Sequence, residues 1–146
     1  MTPFALLLHI LAVAFWVGGM GFAYVALRPA LAETLEPPQR LVLFERVMRQ
    51  FLAGVLIAIV VLLASGGYLF MTLPAARPAI HVMTTVGLVM IVVFGYIRLR
   101  AYPAMCRAIA AKAWPVAGAA AAVIGRLVAL NLVLGIATIA VAVVWR

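Results

Sequence analysis

Residues 51–73 read FLAGVLIAIVVLLASGGYLFMTL and contain no charged side chain. A transmembrane helix needs about 20 predominantly apolar residues, which this stretch supplies. Three further apolar stretches, residues 3–27, 80–100 and 119–145, meet the same requirement. None of them has the period-two alternation of a strand in a membrane β-barrel. The sequence therefore predicts an all-α fold, a four-helix transmembrane bundle that forms one integral membrane domain over residues 1–146.

The composition excludes several classes of protein. Of the 146 residues, 69% are hydrophobic and 10% are charged, which rules out an ordinary soluble enzyme, a disordered chain and a coiled coil. The single cysteine, Cys106, excludes an internal disulfide and a CxxC motif. The sequence pI of about 11.2 would suggest nucleic-acid binding in a soluble domain. Here the basic residues lie between apolar runs, as they do beside anionic lipid, so no nucleic-acid partner is expected.

The basic residues are unevenly divided between the connecting segments, which predicts the orientation. Eight lie in the first and third connections: Arg28, Arg40, Arg46, Arg49, Arg98, Arg100, Arg107 and Lys112. The short second connection has only Arg77. The positive-inside rule then predicts a multi-pass protein of a bacterial cell inner membrane, with the N- and C-termini periplasmic. Residues 3–27 lack the basic start of a signal peptide and exceed its usual run of about 7–15 apolar residues, so they are predicted to be a membrane helix.

Two segments on the predicted cytoplasmic side are amphipathic. Pro37 and Pro38 open a stretch in which Leu41, Phe44, Met48 and Phe51 share one stripe. Proline is tolerated in the first turn of a helix, so this stretch predicts a cytoplasmic extension of the second helix. Residues 103–114 have a similar pattern.

Ionisable residues inside membrane spans are costly and mark functional candidates. His9 and His81 each lie near the start of a helix that begins on the same side of the membrane, so they are expected in the same leaflet. One interpretation is a shared polar pocket or a pair of ligands, because neutral imidazole binds copper, zinc and haem iron. The other is two unrelated histidines, each hydrogen-bonded to a neighbour. Arg126 and the polar Asn131 are the other candidates, both in the fourth helix.

Two cofactors fit these residues. A Cu(I) site would combine His9, His81 and the thioether of Met71, since imidazole and thioether both suit copper. Haem b would use the two histidines as ligands, with Arg77 or Arg126 beside its propionates. Arg126 has two further interpretations, snorkelling or binding a lipid phosphate. Met71 and Met83 are either ligands or packing residues.

A family resemblance is carried mainly by the first helix. Leu8-His9-Ile10 followed by Phe15-Trp16-Val17-Gly18-Gly19 resembles the first helix of the copper-resistance protein D (CopD) family, to which the HemJ-type membrane proteins are related. Residues 44–49, 80–100 and 125–135 are similar to the first cytoplasmic loop, the histidine helix and the last helix of that group. HemJ-type proteins carry a lysine where this chain has Met83, and an Asn-Glu pair where it has Ala129 and Leu130.

The resemblance implies binding or transport of copper, in copper homeostasis or resistance, through a site near the periplasmic face. An alternative is a haem b redox protein, HemJ-like (a protoporphyrinogen oxidase) or cytochrome-b-like. A third is a small structural or assembly subunit without a ligand. Four helices are too few to line a wide pore, so transport would favour a homo-oligomer.

The predicted orientation can be tested on Cys106. In intact cells with a permeabilised outer membrane, we expect a membrane-impermeant maleimide to leave Cys106 unlabelled and a permeant one to label it. Labelling by the impermeant reagent would reverse the predicted orientation.

Overall fold

The computed structural model describes residues 2–72 and 78–144, which form four long helices. These are α1 (Thr2–Thr34), α2 (Pro37–Thr72), α3 (Pro78–Ala110) and α4 (Trp114–Val144), and each is long and apolar enough to cross a membrane. The described ranges contain no β-strand, so the predicted all-α fold class is confirmed. The chain is a multi-pass membrane protein.

The helices are longer than the predicted apolar spans. The amphipathic stretch that begins at Pro37 is continuous with α2, and Leu41, Phe44 and Met48 on its predicted stripe are buried. α4 starts at Trp114 rather than near residue 119. The predicted ends at residues 73 and 145 lie outside the described residues. Hydropathy marks the part of a helix that crosses lipid, whereas hydrogen bonding continues the helix beyond it.

Two π-helical turns carry α1 and α3 past a proline. One spans Ala23–Leu27, just before Arg28-Pro29, and the other spans Ile97–Ala101, just before Tyr102-Pro103. Proline has no N–H to donate and clashes with the carbonyl four residues earlier, and a wider turn relieves that clash. α1 therefore runs to Thr34 rather than to the predicted residue 27, and α3 runs to Ala110 rather than to residue 100.

The helices run alternately up and down, which gives the bundle two different ends. The basic end contains residues 28–49 and 98–114, and the histidine end contains residues 2–11, 65–72, 78–89 and 136–144. α1 packs against α2 and α4, and α4 also packs against α3. Trp16 of α1 meets Phe94 of α3 edge to face, with 6.2 Å between ring centroids. Buried side chains from all four helices surround this pair, among them Met20, Val55, Met90 and Ile124.

Polar contacts close the basic end. The hydroxyl of Tyr102 donates to Glu45 Oε1 at 2.7 Å, which joins α3 to α2, and Cys106 Sγ lies 4.0 Å from the same oxygen. The guanidinium of Arg40 donates to the carbonyls of Ala32 and Leu35 at 3.2 and 3.1 Å. These bonds satisfy carbonyl groups at the end of α1 that have no partner within the helix.

Cys106 is only partly accessible in this arrangement, so a second reporter strengthens the orientation experiment. Lys112 is exposed in the turn between α3 and α4. Lys112→Cys in a Cys106→Ser background reports on the basic end, and Thr72→Cys in the same background reports on the opposite end of α2. The two variants should give opposite labelling patterns.

The seam between α1 and α2 depends on two reciprocal contacts of phenylalanine with glycine. A Cβ added to Gly19 would lie 2.5 Å from Cε2 of Phe51, and one added to Gly54 would lie 2.6 Å from Cζ of Phe15. The centroids of the two phenylalanine rings are 6.3 Å apart. The glycines therefore let the two backbones approach closely, as small residues do in membrane helix pairs.

Gly19→Ala should destabilise the bundle by about 1–3 kcal/mol, because the new methyl group overlaps the ring of Phe51. Gly18→Ala is the matched control, since nothing lies within 4 Å of a Cβ at that position. Thermal unfolding of the purified proteins in one detergent should give a lower Tm for Gly19→Ala than for Gly18→Ala. Equal melting temperatures would contradict the proposed seam.

Candidate functional site

His9 lies half-buried between α1 and α2. Its Nδ1 is 3.0 Å from Oγ of Ser65, which faces it from α2. Gly66 leaves room for the ring, because a Cβ there would lie 3.2 Å from His9 Cε1. The imidazole is therefore held on one edge by a hydroxyl group and on another by a bare stretch of helix backbone.

The hydrogen bonds of Ser65 determine which nitrogen of His9 carries the proton. Ser65 Oγ is only 2.6 Å from the carbonyl oxygen of Val61, and two oxygens approach so closely when a hydroxyl proton lies between them. A serine has one hydroxyl proton, so Ser65 must accept its bond from His9. His9 Nδ1 then carries the hydrogen, and Nε2 of the neutral imidazole keeps its lone pair. A histidine that binds a metal through one nitrogen commonly donates the other N–H in this way.

His81 occupies a different environment. It is exposed in the first turns of α3, and its ring stands edge to face against Phe70 of α2, with 5.9 Å between ring centroids and 80° between planes. Met71 follows Phe70 in α2 and is 86% exposed. Met83 is half-buried on α3.

The two histidines are close in depth but contact different faces of α2. Ser65 and Phe70 are five residues apart, which corresponds to about 7.5 Å along a helix axis and to about 140° around it. The described contacts therefore do not bring His9 and His81 into one coordination site. No group of three His, Cys, Asp or Glu side chains within residues 2–72 and 78–144 has the proximity of a metal cluster.

The histidine end is loosely packed. In the described chain, residues 2–11, 80–89 and 136–144 include no fully buried side chain, although all three segments are strongly apolar. Among the described residues of the histidine end, the buried side chains are Ser65 and Leu69 of α2 and the small Ala79 of α3. His9 therefore lies in a part of the bundle where few described side chains are buried.

Arg126 is exposed on α4 and does not approach the histidine end. The neighbouring Gly125 is covered by the guanidinium of Arg28, since a Cβ on Gly125 would overlap that group. The same guanidinium lies over the ring of Tyr24, 5.8 Å from its centroid. The sequence analysis did not select Arg28 as a candidate site residue. The sequence feature that indicates this contact is Gly125, which leaves space for the guanidinium. Arg77 lies outside the described residues.

Asn131 is buried and joins α4 to α3. Its Nδ2 donates to the carbonyl of Met90 at 3.1 Å, whereas its Oδ1 has no hydrogen-bond partner among the described residues. A side-chain bond to a main-chain carbonyl across a helix pair is a packing role.

The sequence analysis did not predict a role for Ser65, although this residue orients His9. The sequence feature that could have identified it is its position. Residues 51–64 contain no hydroxyl group, so Ser65 is the first hydroxyl-bearing residue in the apolar run of α2. A partner helix was needed to give that hydroxyl a function.

Comparisons with models of known protein families, with curated proteins and with solved structures found no match to this chain. The resemblance to the CopD family therefore stays a prediction.

The tautomer of His9 is directly measurable. In 15N-histidine-labelled protein at neutral pH, we expect NMR to find the His9 proton on Nδ1 and the lone pair on Nε2. The reason is that Ser65 Oγ accepts a hydrogen bond from the N–H at Nδ1. Ser65→Ala should release this preference, and Ser65→Thr, which keeps the hydroxyl, should retain it. The chain has two histidines, so a His81→Ala sample assigns the signals. A proton on Nε2 in the wild-type protein would contradict the hydrogen-bond assignment.

Proposed function

We propose that the protein binds copper at the histidine end of the bundle and handles it as an ion in transit, in copper homeostasis or resistance. The observation that supports this proposal most strongly is the bond from His9 Nδ1–H to Ser65 Oγ, which leaves Nε2 free as a ligand. Cu(I) is a soft monovalent ion that suits imidazole and thioether ligands. It needs no carboxylate, and the apolar runs that contain His9 and Ser65 have none.

In this proposal His9 is the principal ligand and the other predicted donors act nearer the rim. Phe70, which contacts His81, is about 1.4 helical turns closer to the end of α2 than Ser65, and Met71 is exposed beside it. An ion that approaches from that side would meet His81 and Met71 before it reaches His9. Residues 2–11 and 80–89 have no buried side chain, and in this proposal the ion enters between them.

The proposed location is a bacterial inner membrane, with the basic end cytoplasmic and the histidine end periplasmic. Four helices surround no wide pore, so passage across the whole membrane would require a homo-oligomer. The same histidines would bind haem b in the alternative function, and bound haem would be detected by its Soret absorption band.

Metal content tests the copper proposal. Protein purified without oxygen and loaded with Cu(I) should retain copper after desalting. His9→Ala should lose at least tenfold in affinity, since it removes the principal ligand. His81→Ala and Met71→Leu should weaken binding less. Met83→Leu is the matched control for removing a thioether, and it should leave binding unchanged.

Three outcomes would contradict the proposal: no retention of copper by the wild-type protein, full retention by His9→Ala, or equal losses in Met71→Leu and Met83→Leu. A Soret band in the protein as purified, lost in His9→Ala, would instead establish the haem function.

A further inference from the structure

An open cleft lies at the basic end, between the start of α2 and the start of α4. Its volume is about 430 Å³, and it is lined by Pro38, Gln39, Val42, Leu43, Arg46 and Trp114. Five of these residues come from two adjacent rows of α2, spaced four residues apart, and Trp114 closes the cleft from the other side. The cleft is a shallow surface groove and not an enclosed pocket.

The lining divides into an apolar part and a polar part. Val42 and Leu43 are 38% and 41% exposed although both are large and apolar, and Trp114 is half-buried. Tryptophan is enriched at the membrane–water interface because its ring is apolar and its N–H is polar. The amide of Gln39 and the guanidinium of Arg46 are the polar groups. This combination matches a molecule with a polar head and an apolar chain.

The net charge of the chain favours a ligand whose polar head group is negatively charged. Eleven basic residues face only three carboxylates, a net charge of +8, so most cations have no carboxylate to pair with inside the chain. One of the three, Glu45, accepts the hydroxyl of Tyr102. Arg40 is engaged with the carbonyls at the end of α1, whereas Arg46 is exposed at the cleft. A guanidinium binds phosphate with paired N–H donors.

We propose that this cleft binds the headgroup of an anionic phospholipid from the leaflet at the basic end. The phosphate contacts Arg46, Trp114 lies at the level of the glycerol, and the first methylene groups follow Val42 and Leu43. The apolar lining favours a lipid over a free phosphate ion. The proposal depends on the membrane location of the bundle and not on copper.

Fluorescence quenching by brominated lipid tests the proposal, because Trp114 is part of the cleft. The protein, carrying Trp145→Phe, is placed in phosphatidylcholine bilayers that contain increasing fractions of brominated phosphatidylglycerol or brominated phosphatidylcholine. Quenching that disappears when Trp114→Phe is added belongs to the cleft. We expect the Trp114-dependent quenching to reach half its maximum at a fraction of brominated phosphatidylglycerol at least fivefold lower than that of brominated phosphatidylcholine. A fivefold difference corresponds to about 1 kcal/mol, the free energy of about one basic residue beside an anionic surface.

Arg46→Gln should abolish the preference for the anionic lipid. Arg107→Gln is the matched control, because Arg107 is exposed at the same end of the bundle and does not line the cleft. It should retain the preference. Equal quenching by the two lipids in the unaltered cleft, or equal effects of Arg46→Gln and Arg107→Gln, would overturn the proposal. Relief of the quenching by millimolar inorganic phosphate would assign the site to a free anion instead.

Discussion

A main chain in the hydrocarbon layer has no water to bond to, and every N–H and carbonyl group must find its partner within the protein. Most features of this bundle follow from that constraint. The helices continue through Pro29 and Pro103 by widening into π-helical turns rather than by breaking. Hydroxyl side chains turn back onto their own helices, as Thr84 does to Ile80 and Thr138 to Leu134. A polar group that makes a bond to another helix is then an exception that requires an explanation.

Two such exceptions connect different helices within the apolar region, one near the middle of the bundle and one nearer the histidine end. The bond from Asn131 to the carbonyl of Met90 belongs to a densely packed region, and it joins α4 to α3. The bond from His9 to Ser65 lies where α1, α3 and α4 bury few side chains. A polar bond in a packed core stabilises the fold, whereas a bond that orients an imidazole in an open region leaves a lone pair within reach of a ligand. The packing around Asn131 therefore indicates a structural role, whereas the proposed copper site is assigned to His9.

Hydropathy was enough to predict the four helices, because the length of an apolar run depends only on the thickness of the bilayer. The stripe of Leu41, Phe44 and Met48 also predicted the extension of α2. The π-helical turns were not predictable, since a proline alone is equally consistent with the end of a helix, as predicted before Arg28. The contacts of Gly19 with Phe51 and of Gly54 with Phe15 depend on which faces of α1 and α2 meet. The membrane-crossing parts of these helices are apolar on all sides and carry little sequence information about that choice.

For the same reason, the sequence predicts the depth of each histidine in the membrane but not the direction in which its side chain faces. Counting residues from the start of each helix places His9 and His81 in one leaflet, and their contacts with Ser65 and Phe70 agree within about one and a half turns. Whether two side chains at one depth meet depends on the rotation of each helix about its axis. In this bundle α1 turns His9 toward Ser65, where Gly66 makes room for the ring, while α3 turns His81 toward Phe70. The pair Ser65-Gly66, a hydroxyl residue followed by a glycine, is therefore the feature of α2 that accommodates the polar ring of His9.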